Sequence, residues 1–118
     1  MDQRAEQSLQ TAVAPWSGEI PSGPTPYAGP AIAAALSKLG SPYVWGDEGP
    51  SSFDCSGLLQ WSYLQAGFVL PRVSSDQYLA TTPVPTDQMQ PGDLIVYAYD
   101  VSDAETIHHI TMYIGNGQ

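Results

Sequence analysis

Proline and glycine, eleven of each in 118 residues, decide which stretches of this chain can be regular. Pro15, Pro21, Pro24 and Pro26 break up residues 1–29, which are polar and carry no apolar period. That segment reads as a flexible arm or linker. From Pro30 the character changes. Pro30 suits a first helical position, residues 31–39 are good helix formers, and Gly40 is a natural C-terminal stop. A second helical window spans residues 55–66 and is closed by Gly67. It has Leu58, Trp61 and Leu64 or Gln65 at near-helical spacing, with Ser52 or Asp54 near its N-cap. Residues 43–45 and 68–70 are short and extended, residues 74–80 form a helical turn, and residues 83–91 are loop. Two strands follow at 93–99 and 108–115, separated by an acidic loop at 100–106. Helices first and strands afterwards imply an α+β fold, with one compact domain over residues 30–118.

Charge narrows the function classes. Twelve acidic residues face only Arg4, Lys38 and Arg72, for a net charge of −9. So few cations cannot neutralise a run of phosphates, which argues against nucleic acid, and an anionic membrane surface is disfavoured for the same reason. No apolar run approaches the roughly 20 residues that span a bilayer. Met1 to Glu6 lacks the basic start and apolar stretch of an export signal. A lone cysteine forms no internal disulfide, and neither C-x-x-C nor H-E-x-x-H spacing is present, so no metal or other cofactor is expected.

The most informative stretch is Phe53-Asp54-Cys55-Ser56-Gly57-Leu58. A cysteine in the first turn of a helix sees the positive end of the helix dipole and free backbone N–H groups, which favour thiolate over thiol. The same amides can donate to an oxyanion formed when sulfur attacks a carbonyl. Gly57 is expected to keep the approach clear of side chain. The blander role for Cys55 is that of a small buried hydrophobe. A thiol nucleophile needs a base, and histidine is suited to it. His108 and His109 open the same apolar strand, so at most one of them faces Cys55. Ile110, Met112 and Ile114 share a face with His108; Thr111 and Tyr113 share one with His109. Neither face is plainly solvent, so periodicity leaves the choice open.

The segments Gly40-Ser41-Pro42-Tyr43-Val44-Trp45-Gly46, Phe53 to Leu58, Leu70-Pro71-Arg72-Val73-Ser74-Ser75-Asp76-Gln77-Tyr78, Pro91-Gly92-Asp93-Leu94-Ile95 and His109-Ile110-Thr111-Met112-Tyr113-Ile114-Gly115-Asn116-Gly117 resemble the NlpC family. These are papain-like cysteine peptidases of bacterial cell walls, and the wording is most similar to the mycobacterial Rip-type endopeptidases. The resemblance runs from about Pro30 to Gln118. It implies helices packed on a small antiparallel sheet, Cys55 as nucleophile, His109 as base, and Tyr43 as an oxyanion donor beside the Cys55 amide. It further implies stem-peptide contacts from Asp54 and Ser56. Arg72 could pair with a substrate carboxylate or form a salt bridge within the fold. Asp54 could cap the helix or hold a substrate amine.

The implied substrate is the peptidoglycan stem peptide, cut between γ-D-glutamate and diaminopimelate by a secreted or envelope-located monomer. The resemblance also implies a third polar residue that orients the histidine from the next strand. Its place falls beyond Gln118, as do further strands, unless Asp100, Asp103 or Glu105 folds back to substitute. Without that residue the same fold could serve as a weak or inactive peptidoglycan-binding module. Thiol acyl transfer would use the same dyad.

Overall fold

The computed structural model describes residue 23 and residues 25–118. Most of the expected arm therefore lies outside the described residues. Among the described residues three helices come first: α1 (Ala28–Leu36), α2 (Cys55–Gln65) and α3 (Ser74–Leu79). The strands β1 (Leu94–Ala98) and β2 (Ile107–Met112) follow, with short 3₁₀ turns at Thr86–Gln88 and Ala104–Thr106. Helices before strands give the α+β order that the breakers impose. No helix among the described residues is long and apolar enough to cross a membrane.

The first helix starts two residues before Pro30, with Tyr27 at its N-cap. Pro30 thus sits third in the helix rather than first, which its missing N–H tolerates because first-turn amides have no intrahelical acceptor. Leu36 ends the helix earlier than expected, and the chain leaves through a turn at Gly40 (φ 85°). On α2 the buried face also differs from the expected stripe. Ser56, Gly57, Leu59 and Ser62 are buried, whereas Leu64 is 53% exposed. α1 buries Ala28, Ala31 and Ala35. α1 and α2 pack against each other through Leu59 with Ile32, Ala35 and Leu36, while Ser56 and Gly57 are buried by the segments around the helix start.

β1 and β2 pair antiparallel, with Leu94 opposite Met112, Val96 opposite Ile110 and Tyr97 opposite His109. The pairing runs past the strand end, since Tyr113 N–H donates to Asp93 O (2.8 Å) and Gly92 N–H to Tyr113 O (2.7 Å). One sheet face, carrying Ile110 and Met112 with Leu94 and Val96 against them, joins Ile32, Ala35, Leu36, Leu59 and Leu70 in the core. Alternation then places Tyr97, His109 and Thr111 on the opposite face. Gly92 (φ 97°) lets α1 approach the start of β1, because a Cβ there would lie 2.6 Å from that of Ala28.

Leu59 is 1% exposed at the centre of this core. Leu59→Ala is expected to lower unfolding free energy by about 2–5 kcal/mol in urea titration; a loss under about 0.5 kcal/mol would place the core elsewhere.

Candidate active site

The loop before α2 is folded back on itself and holds the helix's first turn. Val44 N–H donates to Phe53 O (3.0 Å), and Phe53 N–H to Pro42 O (3.1 Å), which puts Tyr43 in a parallel bridge beside Phe53. Asp54 N–H donates to Asp47 O (2.8 Å). The Asp54 carboxylate caps the helix by accepting from Gly57 N–H (2.7 Å), and it also accepts from Gly46 N–H (3.1 Å). Ser52 Oγ donates to the Asp47 carboxylate. Gly57 is required for this arrangement: an added Cβ would stand 2.3 Å from Asp47 O and 2.9 Å from Asp54 Oδ1. Its role is to admit the loop that abuts the cap, rather than to clear a path for substrate.

Arg72 closes the network from the segment before α3. Nη1 and Nη2 donate to Asp54 Oδ1 (3.1 Å) and Oδ2 (2.8 Å), Nη1 also reaches Ser56 Oγ (2.9 Å), and Nε pairs with Glu48 (3.1 Å). Burial pushes the Asp54 carboxyl's pKa up. The Arg72 hydrogen bonds, the Gly57 amide, the Arg72 charge and the Gly46 amide outweigh that and hold it below the usual carboxylate range.

Cys55 opens α2 and is half-buried. An open cleft is lined by Cys55 together with Tyr43, His109, Leu58 and Thr111. Tyr43 is 41% exposed and lines this cleft beside Cys55. Burial first, then the cysteine's charge and hydrogen bond, push the Tyr43 pKa to about 12, against a smaller lowering from the Cys55 amide. The hydroxyl therefore keeps its proton throughout the neutral range. His109 is 7% exposed and stacks on Tyr97, ring centroids 5.6 Å apart and planes within 20°. His108 points outward and stacks on the exposed Tyr99 at 4.1 Å. His109, and not His108, thus lines the cleft together with Cys55.

Residues 40–118 match the NlpC/P60 family. The chain belongs to the NlpC/P60 family. Over 87 residues it is 45% identical to a probable endopeptidase p60 of Listeria seeligeri, an alignment covering 74% of this chain and 16% of that protein. It is 41% identical to a probable endopeptidase of Mycobacterium tuberculosis over 86 residues, or 73% of this chain and 21% of that one. The chain thus spans less than a quarter of either relative. The crystal structure of the NlpC/p60 domain of the peptidoglycan hydrolase SagA superposes with a TM-score of 0.68 at 32% identity, covering 76% of this chain and 74% of that domain.

Within this NlpC/P60 domain, Cys55, His109 and Tyr43 line one cleft. Asp54 and Ser56 are both buried and hydrogen-bonded within the fold. Arg72 takes the salt-bridge role of its two alternatives, since its fork is occupied by Asp54. Asp100 and Asp103 accept bonds from Ser102 and Glu105 within their own loop, and Glu105 is exposed there. Among the described residues, no group of three or more His, Cys, Asp or Glu is placed to hold a metal. Gln77, which bonds to Ser56 O, was given no role by the sequence; a glutamine in a short polar helix carries no sign of burial.

The depressed Asp54 pKa links the cap to acidity. Its stabilising contribution is present above its unfolded pKa of about 3.9 and is lost as pH falls through the lower folded value. Asp54→Asn is expected to cost about 1–3 kcal/mol at pH 7. In urea titrations it should also flatten the loss of stability below about pH 4 relative to wild type. Parallel pH curves for the two proteins would contradict the assignment.

Proposed function

We propose that this domain is a cysteine endopeptidase that cleaves peptidoglycan stem peptides at the γ-D-glutamyl–diaminopimelate bond, acting at the cell wall as a monomer. The observation that carries the reading is the convergence of Cys55, Tyr43 and His109 on one cleft at the N-terminus of α2. Family membership supports peptide-bond hydrolysis, and relatives of this domain are named endopeptidases. The choice of bond follows from the resemblance in sequence motifs.

In the proposed mechanism the Cys55 thiolate attacks the scissile carbonyl carbon and forms a C–S bond. The Tyr43 hydroxyl stays protonated at the cleft that the sulfur also lines. As sulfur's charge moves onto the carbonyl oxygen, the O–H donor and the Cys55 N–H become available to that oxyanion. His109 as imidazolium gives its proton to the leaving amine when the C–N bond breaks. Neutral His109 then takes a proton from water, which attacks the thioester and releases the acid and the thiolate. Stacking on Tyr97 holds the plane of the His109 ring through these steps. Asp54 lines the cleft next to the nucleophile, where it would border the stem peptide; Ser56 backs it from within the fold, and Arg72 keeps Asp54 charge-compensated.

Cys55→Ala should retain the fold and abolish cleavage of an L-Ala–γ-D-Glu–diaminopimelate peptide, followed by mass spectrometry. His109→Ala should be comparably inactive, while His108→Ala stays within about threefold of wild type, because an exposed stacking contact bears little on a transition state. Cleavage by Cys55→Ala would overturn the nucleophile; binding of the peptide by wild type with no cleavage would favour a non-catalytic wall-binding module.

A further inference from the structure

Gln77 sits in α3 and is completely buried, 0% exposed. A glutamine is seldom placed so unless its amide has fixed partners. Nε2 donates to Ser56 O at 3.0 Å and to Pro71 O at 2.8 Å. Both partners are carbonyls and can only accept, so the amide nitrogen must be the atom that faces them. Ser56 follows Cys55 directly, and Pro71 directly precedes Arg72. One buried side chain therefore ties the first turn of the nucleophile's helix to the segment that carries the cation.

The residues on either side of Cys55 are fixed from several directions. Ser56 is held at its carbonyl by Gln77 and at its hydroxyl by Arg72, and that hydroxyl also donates to Asp54 Oδ1 (3.3 Å). Asp54 is held by two backbone amides and the Arg72 fork. Cys55 lies between these clamped neighbours, and its own side chain is the one of the three that lines the cleft without a structural hydrogen bond to Arg72 or Gln77.

We propose that Gln77 is a positioning residue for Cys55, fixing the first turn of α2 so that the sulfur and the Cys55 amide keep their aim into the cleft. The proposal rests on Cys55 being the nucleophile. It differs from a purely structural staple between α3 and α2, which would affect stability and leave the thiol's chemistry alone. Misplacement of a reacting group by an ångström is enough to slow an enzyme about a hundredfold, so a loosened first turn has a kinetic signature.

Gln77→Met keeps the side chain's length and removes both donors; Gln77→Glu turns an oxygen toward two carbonyls. With both variants shown to be folded by circular dichroism, kcat on the stem peptide should fall about tenfold to a hundredfold with KM within about twofold of wild type. The pH–rate profile of Cys55 alkylation by iodoacetamide should move to higher pH. Wild-type kcat and an unmoved alkylation profile, with only a lower Tm, would overturn the proposal. If wild type itself cleaves no peptide, the proposed function fails, and the alkylation profiles still decide the role of Gln77. In the wild-type chain the Gln77 side-chain amide protons and the first-turn amides of α2 should exchange through one common opening. Rapid exchange of the side-chain protons beside a protected first turn would contradict the role even if neither variant folds.

Discussion

The pairing of Arg72 with Asp54 at the head of α2 is the contact on which the site depends. A carboxylate at an N-cap is favoured by the helix dipole and by the amide it receives. Here, however, it sits one residue before the sulfur that carries negative charge in the proposed mechanism. An uncompensated carboxylate so close would oppose the thiolate. Two Arg72 nitrogens neutralise Asp54 in a fork geometry that a lysine could not reproduce. The same interaction that ends the loop therefore leaves the positive end of the helix available to Cys55. Charge-assisted bonds of this kind contribute about 1.5–3 kcal/mol each, enough to hold a loop built from residues with little helical or strand preference.

Around that pair the fold supplies the remaining groups from three separate elements. The loop's bridge to Phe53 carries Tyr43 to the cysteine, and a pKa near 12 keeps its hydroxyl a donor. The strand β2 is buried on both faces. One face seals the core with Ile110 and Met112, while the other presents His109 beside Tyr97. Dual burial of residues 109–112 lets a single strand anchor the fold and bring His109 to the cleft. His108 lies at the exposed start of the strand, where the register with β1 is broken next to Tyr97, and is left outside.

Much of this was legible in the chain. The start of α2 could be placed because Asp54 is a capping residue directly before a helical window closed by Gly67. The strands were placed to within one residue at three of their four ends, because the turn-forming acidic loop between them is unambiguous; the second strand stops at Met112, three residues short of the expected end. Family motifs singled out Cys55, Tyr43 and His109. Periodicity alone could not choose between the histidines, since a strand buried on both sides has no polar face to mark solvent. Arg72's partner was hidden among twelve acids, because an ion pair across the fold leaves no local pattern. The packing role of Gly57, expected instead to clear the approach to Cys55, and the burial of Gln77 escaped for a related reason. One is defined by a neighbouring loop's carbonyl and the other by carbonyls of two segments distant in sequence.

A covalent intermediate is the most direct witness to the chemistry. Rapid acid quenching of the chain with excess stem peptide, followed by intact and tandem mass spectrometry, should find the L-Ala–γ-D-Glu acyl group attached to Cys55 as a thioester. Turnover with no adduct on Cys55, or an acyl group carried by another residue, would contradict the account.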